Sequence, residues 1–412
     1  MPSEILLSVP ASNCDIHICV AATGAVANIT PILDSKFKPS HVILLERKGL
    51  AEHANNLALV YQGAGVSCQR IMIENVRDAD GVRDLVSELI VSTKEKTVTL
   101  NASCGHRAIM LAAFSAFQKA GQPIFYVNPE DDHLTWLSNE CSSSFDLADR
   151  ITIQQFLQLH GTTLTSATTD QASDTFDDLF FILITQVERF SSPFKVLNAL
   201  AASAKNTDFL SQPFSSEQNY NQAIQDLVDV FSKHGCLARK GNCLVFSDEA
   251  SRNFVNGGWL EVFAYRQIQM MAKGFPQIQD IAMNVELARK DTVNEVNNEL
   301  DVVFLANNHL FLIECKTMDF AVIKGRMPFR KVKEKKRAAR EQVYRMDSLK
   351  ELHGGIYGEA MILSYHPIPK ETAQRAEDLG LCICASTDLL NFKTIVRDWA
   401  LPKEGRIIED AS

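Results

Sequence analysis

The chain has 412 residues, is 46% hydrophobic and 22% charged, and carries a formal net charge of −9. That length predicts two or three domains, each with its own core, and the composition is that of a soluble globular protein. No apolar run approaches a membrane span, and "MPSEILLSVPASNC" lacks the basic-then-apolar pattern of a signal peptide. The ten cysteines show no paired zinc spacing, and Cys382-x-Cys384 reads as core. The expectation is a cytoplasmic protein with reduced thiols and no membrane partner.

In chain order, apolar segments "IHICVAA", "HVILLER", "CQRIMIEN", "TVTLNAS" and "PIFYVN" alternate with helical stretches near residues 25–33, 50–62, 82–93 and 107–120. This alternation predicts a doubly wound, Rossmann-like α/β domain whose ligand binds beyond the carboxyl ends of the strands. The residues at those ends are Thr23 and Gly24, the run Asn101 to Arg107, and Asn128. "TGAVAN" lacks two of the glycines that a dinucleotide pyrophosphate requires, which argues against a nicotinamide cofactor. "PIFYVNPEDDHLTWL" and "DRITIQQFLQLHG" read as closing strands, ending near Gly161. "TTLTSATTDQASDT" reads as a Thr/Ser-rich linker, residues 176–203 as helical, and "QAIQDLVDVFSKHGCLARKGNCLVFSD" as a helix and hairpin with the outline of a winged helix. That segment is read as a spacer in preference to a DNA contact.

The most informative stretch is "NNELDVVFLANNHLFLIECKT". Asn307-Asn308 suits a two-residue turn, because Asn tolerates the positive φ such turns need. With Ala306 and His309 closing the turn, partners have numbers summing to 615, so Asp301 faces Glu314 and Glu299 faces Lys316. Alternation puts Asp301, Glu314 and Lys316 on one face. Both faces are otherwise apolar, as in a strand covered on both sides. Two opposed carboxylates there repel and lose solvation, and a divalent cation relieves both. Mg²⁺ or Mn²⁺ held by Asp301, Glu314 and the Cys315 carbonyl fits hard-ion chemistry, with Lys316 placed to orient a water or stabilise charge on a phosphate.

This arrangement resembles the PD-(D/E)xK nuclease core, with Glu299-Leu300-Asp301 in place of the literal Pro-Asp. The resemblance implies a restriction-endonuclease-like α/β domain in which Glu261, in the helix opened by "GGWLE", joins Asp301, Glu314 and Lys316 as catalytic residues. From Lys324 to Arg345 there are ten Lys/Arg and two Glu, a balance of +8 that leaves −17 for the rest of the chain. Lys331, Lys333, Lys335, Lys336 and Arg337 in that stripe are candidate contacts to a nucleic-acid backbone. Gln342 and Tyr344 fall where some such nucleases carry a Gln/Tyr motif.

"NASCGHRAIMLAAFSAF" resembles the Asn-x-Thr-Gly-Gly-Thr-Lys loop of CARF domains, the cyclic oligoadenylate sensors of type III CRISPR defence. Asn101, Ser103 and Gly105 match that loop, while Cys104, His106 and Arg107 replace Gly, Thr and Lys. The resemblance implies a ligand site at Thr23, Gly24, Asn101, Ser103, Cys104, Gly105, His106, Arg107 and Asn128. The predicted order is therefore a CARF domain over residues 1–161, a linker with a helical, winged-helix-like connector over 162–249, and a PD-(D/E)xK nuclease over 250–412. It is similar to CRISPR ancillary nucleases that cut DNA or RNA when a cyclic oligoadenylate binds, cyclic tetra-adenylate being the first choice of activator. A two-fold ligand implies a homodimer. The competing expectations are a repair- or restriction-type nuclease without nucleotide control, and a non-enzymatic nucleotide-sensing regulator.

Overall fold

The computed structural model describes residues 15–93, 96–129, 131–138, 144–170, 174–289, 296–319 and 329–401; the side chains at 289, 296, 297, 329, 331 and 332 lie outside that description. The amino-terminal sheet contains β1 (Ile16–Val20), β2 (His41–Arg47), β3 (Ser67–Ile73), β4 (Val98–Asn101), β5 (Ile124–Val127), β6 (His133–Trp136) and β7 (Ser144–Asp146). Their order is β3-β2-β1-β4-β5-β6-β7, parallel through β5 and antiparallel beyond it. β1 and β4 are buried along their whole length, as parallel strands covered by helices should be.

The strand order reverses at β1, so the loops after β1 and β4 flank the crevice where such sheets bind ligands. The first expected helix is reduced to a turn at Val26–Asn28 and the single-turn α1 (Thr30–Leu33), because Pro31 suits a helix start and disfavours helical backbone just before it. α2 (Ala51–Gly63), α3 (Ala79–Ser92) and α4 (Arg107–Lys119) follow the expected pattern, and Asp78 caps α3 by accepting from the Gly81 N–H at 2.9 Å.

Two expectations for the next stretch differ from the structure. "DRITIQQFLQLHG" contains α5 (Ile153–Leu159), not a strand, since Thr152 and Gln155 form a reciprocal capping box. The expected linker contains β8 (Thr162–Thr168), which pairs antiparallel with β11 (Ile278–Arg289) in the second sheet. Its β-branched, half-polar sequence fits an edge strand with one wet face.

The connector comprises α6 (Asp177–Thr185), α7 (Val187–Ser203), α8 (Ser216–Tyr220), α9 (Gln222–Lys233) and a hairpin of β9 (Ala238–Lys240) and β10 (Cys243–Val245). The hairpin turns at Gly241, whose φ is 61°. Its Arg239 lies 5.1 Å from the Phe214 ring and donates to Asn219 Oδ1 at 2.7 Å, so this cation is committed to the connector itself.

α10 (Glu249–Asn253) and α11 (Trp259–Ala272) lead into the second sheet, which adds β12 (Val296–Ala306), β13 (His309–Lys316), β14 (Gly358–Ser364) and β15 (Cys382–Ala385). α12 (Phe329–His353), α13 (Lys370–Asp378) and α14 (Phe392–Ala400) complete it, and the strand order is β15-β14-β13-β12-β11-β8. Asn307 and Asn308 have φ of 47° and 57°, Ala306 pairs with His309, and the ladder runs to Val302 and Ile313.

Both faces of this sheet are buried. Val302, Phe304, Phe311, Ile313 and Cys315 pack with Phe194, Trp259 and Phe263 from α7 and α11. Val303, Leu305, Leu310 and Leu312 belong to a core shared with Val26, Ile29, Leu57 and Phe156 of the amino-terminal half. Leu300, which alternation groups with Val302, joins this shared core instead. Cys384 is fully buried within β15. Among the described residues, no helix is long and apolar enough to cross a membrane.

Candidate active site and ligand loop

The hairpin brings Asp301 and Glu314 together at its open end. Beyond the last ladder pair, the Cys315 N–H donates to Asp301 Oδ2 at 2.7 Å, so a carboxylate takes the place of a backbone acceptor. Glu314 is 1% exposed, and its Oε1 lies 2.6 Å from Lys316 Nζ and 2.5 Å from Arg345 Nη1. Arg345 also donates from Nη2 to the Glu299 carbonyl at 3.2 Å, so one guanidinium joins β12 and β13 at this end. These bonds engage Asp301 Oδ2 and Glu314 Oε1 and leave the second oxygen of each carboxylate out of them.

Glu261 enters from the first turn of α11. Gly257, with φ of 128°, makes that approach possible, because a Cβ there would overlap Thr317 Oγ1 just past β13. Burial first, then the neighbouring Asp301 carboxylate, push Glu261 up to about 8. Burial and Glu314 likewise push Asp301 up to about 6. Burial opposes the Lys316 ammonium, but Glu314 and Asp301 outweigh it and raise its pKa. Three carboxylates thus crowd around one lysine, an arrangement that a cation would relieve.

Among the described residues, no group of three or more His, Cys, Asp or Glu side chains is arranged as a metal site. The expected set of Asp301, Glu314 and the Cys315 carbonyl needs only two side chains. Its oxygen-only chemistry, with waters completing the shell, suits Mg²⁺ or Mn²⁺.

Arg345 was not singled out by sequence reasoning. It lies 31 residues from Glu314, at the end of a basic run with no local mark of its partner. The rest of that run is less free than its charge suggests. Lys335 lies 3.3 Å from Asp319, Lys336 lies 3.1 Å from Glu371, and Arg337 lies 2.7 Å from Glu341. Lys333 is exposed, and the side chain of Lys331 lies outside the described residues. The Lys336 and Arg337 pairs lie at the surface, where such pairs are weak and phosphates can displace them, whereas Asp319 is buried and is bridged by Lys195 as well. Gln342 Oε1 is buried without a hydrogen-bond partner, while Tyr344 is exposed.

At the other site, the strand ends bring the expected ligand loop together. Asn101 is buried, its Nδ2 donates to the Ala27 carbonyl at 2.8 Å, and its Oδ1 accepts from Ser103 N at 3.0 Å and from Ser103 Oγ at 2.5 Å. Ser103 Oγ in turn accepts from the Val127 N–H at 2.8 Å. Both residues therefore build the loop, and their polar atoms are largely spent within it. Gly105, with φ of 118°, sits where a Cβ would overlap Val20, and Gly24, with φ of 57°, sits where one would overlap His160.

Arg107 and Thr23 are exposed, and the buried His106 Nδ1 has no hydrogen-bond partner. Burial pushes the Cys104 thiol up to about 12, so it is a neutral lining group. The Asn128 backbone closes the β5–β6 turn, donating to the His133 carbonyl and accepting from the Asp132 N–H, each at 2.9 Å. A separate groove of ≈ 400 Å³, lined by residues including Phe181, Phe263, Met270 and Leu390, contains neither constellation.

Comparison with known proteins agrees with this architecture. Residues 248–403 match the family model of the Card1-like endonuclease domain. Protein VC1899 from Vibrio cholerae is 27% identical with a TM-score of 0.84, over 94% of this chain and 98% of that one. Can2 from Sulfobacillus thermosulfidooxidans, solved with cyclic tetra-adenylate, is 22% identical with a TM-score of 0.75, over 94% and 100%. A type III CRISPR defence DNA nuclease activated by cyclic oligoadenylate is 16% identical with a TM-score of 0.53, over 86% of this chain and 47% of that one. No curated protein matches the chain.

Proposed function

We propose that this chain, a CRISPR ancillary nuclease that joins a CARF-fold domain to a Card1-like endonuclease domain, hydrolyses phosphodiester bonds in nucleic acid when a cyclic oligoadenylate occupies the CARF loop. The observation that carries this reading is the meeting of Asp301, Glu314 and Lys316 at one end of a hairpin buried on both faces. Sensing is assigned to residues 1–161, connection to 162–249 and cleavage to 250–412, with β8 reaching from the connector into the nuclease sheet. A homodimer and cyclic tetra-adenylate are part of the same reading, supported by the two-fold symmetry of such a ring and by the ligand of Can2.

Asp301, Glu314 and the Cys315 carbonyl would hold Mg²⁺ or Mn²⁺, which when bound supplies a Lewis acid for the phosphate and a water of lowered pKa. Lys316, charged and half-sheltered, faces the place where negative charge grows on the phosphate. Glu261 borders the same site, where burial and the Asp301 carboxylate raise its carboxyl and a bound cation would oppose that rise. Arg345 fixes the Glu314 carboxylate and the spacing of β12 and β13. Lys333, Lys335, Lys336 and Arg337 line one helix along which a polyanion would lie.

The test incubates labelled single-stranded DNA, duplex DNA and RNA with Mg²⁺ or Mn²⁺ and each cyclic oligoadenylate in turn. Cleavage that needs both the metal and one ring size supports the reading. Cleavage indifferent to every ring returns the protein to an uncontrolled nuclease, and no cleavage at all to a regulator.

A further inference from the structure

The hairpin that carries Asp301 and Glu314 at one end is anchored at its other end in the amino-terminal domain by a group of buried polar side chains. Asn308, 1% exposed at the tip, donates from Nδ2 to Asp132 Oδ2 at 2.5 Å. Asp132, 2% exposed, accepts on Oδ1 from Thr30 Oγ1 at 3.1 Å. Asn308 Oδ1 accepts from Gln279 Nε2 at 2.8 Å and from the Ile151 N–H at 3.4 Å, and the Asn308 N–H donates to Gln279 Oε1 at 2.9 Å. Beside them, His309 Nε2 lies 2.8 Å from the Pro129 carbonyl.

The same anchor adjoins the ligand loop. Thr30 follows Gly24 by six residues, and the intervening turn supplies the Ala27 carbonyl that Asn101 binds. The Asp132 N–H donates to the carbonyl of Asn128. From Asn308 to Asp301 the strand runs seven residues, roughly 23 Å at the usual rise.

A buried carboxyl group that loses one of the two donors to its oxygens is left short of a partner at a cost, so this contact favours discrete arrangements over gradual sliding. Its donors come from the two halves of the molecule, Thr30 from one and Asn308 from the other. We infer that Asp132 and Asn308 are positioning residues: through their bond, occupancy of the CARF loop sets the pose of the hairpin that carries the catalytic carboxylates. This inference rests on the proposed function and names the contact by which that site is regulated. It places the coupling at the hairpin tip.

The test compares four full-length proteins: wild type, Asn308→Ala, Asn308→Asp and the exchange variant Asp132→Asn with Asn308→Asp. Asn308→Asp removes the amide donor to Asp132 Oδ2 and puts a second carboxyl group in its place. The exchange variant restores a donor and an acceptor in the reversed sense while keeping Oδ1 at both positions as an acceptor. Three quantities are read: cleavage with and without saturating cyclic tetra-adenylate, affinity for a fluorescent analogue of that ring, and Mn²⁺ binding by calorimetry.

The ratio of activated to basal cleavage should fall roughly tenfold in both single variants, a size typical of coupling between sites. It should return to within about twofold of wild type in the exchange variant, with Mn²⁺ affinity constant throughout. Single variants with the wild-type ratio would overturn the inference. So would a lost ratio that higher activator concentration restores, since that is a binding defect, or an exchange variant no better than Asn308→Asp. Wild-type cleavage that ignores the ring would overturn the proposed function itself, and the wild-type protein alone reveals it.

Discussion

Gly257 and Thr317 are in contact so close that no side chain fits between them, and this contact sets the start of α11 against the end of β13. Gly257→Ala adds a Cβ both into Thr317 Oγ1 and onto backbone with φ of 128°. The substitution should cost about 1–3 kcal/mol, and because Glu261 lies four residues on, cleavage should fall at least about tenfold. Thermal melting and single-turnover rates on the purified variant check both outcomes.

Asp301→Asn keeps the shape of the site and removes one of two opposed charges. It should abolish cleavage while leaving the affinity for cyclic tetra-adenylate unchanged, as should chelation by EDTA. Lys316→Ala should slow turnover by about 10²-fold or more with little change in substrate affinity, the pattern of a group acting in the transition state. Wild-type activity in Asp301→Asn would remove the assignment of this end of the hairpin as the active site.

Arg345→Ala leaves Glu314, almost fully buried, with Lys316 as its cationic partner. Rates should fall about tenfold, with partial recovery in Arg345→Lys, which restores charge but not the two-pronged bridge to Glu299 and Glu314. The metal concentration for half-maximal cleavage should move with the rate if Arg345 orients the carboxylate. An unchanged metal requirement with a lower melting temperature would make Arg345 a structural residue only.

The ligand loop separates into two kinds of residue. Arg107→Ala should raise the activator concentration needed, about tenfold for one lost charge-assisted contact, with the same maximal rate. Ser103→Ala instead removes a hydroxyl already bound to Asn101 and the Val127 N–H, so it should destabilise the amino-terminal domain by about 1–3 kcal/mol. Denaturant unfolding of both variants distinguishes the two effects.

Burial pushes Asp132 up to about 8 from its ordinary value of 3.8, against the opposing bonds from Asn308 and Thr30. The folded protein therefore keeps a proton between about pH 4 and 8 that the unfolded chain has released. Stability from this group is complete below about pH 4 and is lost as the pH rises through about 8. Asp149, pushed up to about 7 by burial and Asp146, acts in the same direction. Denaturation midpoints at pH 5, 7 and 8.5 should decline in the wild type and decline less in Asp132→Asn.

The hairpin was legible because its information is local: the Asn pair sets the turn and with it the register from Ala306 and His309 to Val302 and Ile313, while Asp301 and Glu314 lie beyond the last ladder pair, where Asp301 accepts from the Cys315 N–H. The paired glycines marked the start of the helix, and Glu261 itself was named only through the resemblance to the nuclease core. Arg345 was not, because its partner lies on another element and nothing nearby in the chain marks it. Residues 162–168 read as a linker since a polar edge strand resembles one until its partner, more than a hundred residues away, is known. The capping box at Thr152 and Gln155 was visible in the sequence, and the apolar alternation around it misled. Ser103 was expected to offer its hydroxyl to a ligand, and only the fold reveals that Val127 takes it.

β8 also determines where the molecule can be divided. It covers the outer edge of β11, and the shared core behind it joins Leu305 and Leu312 to Ile29 and Phe156. A nuclease fragment begun at residue 250 would present β11 with a row of unpaired amides and carbonyls beside a bared apolar sheet face, the combination from which chains aggregate edge to edge. The two proposed activities are thus assigned to successive stretches of the chain, yet the protein is built as one physical object.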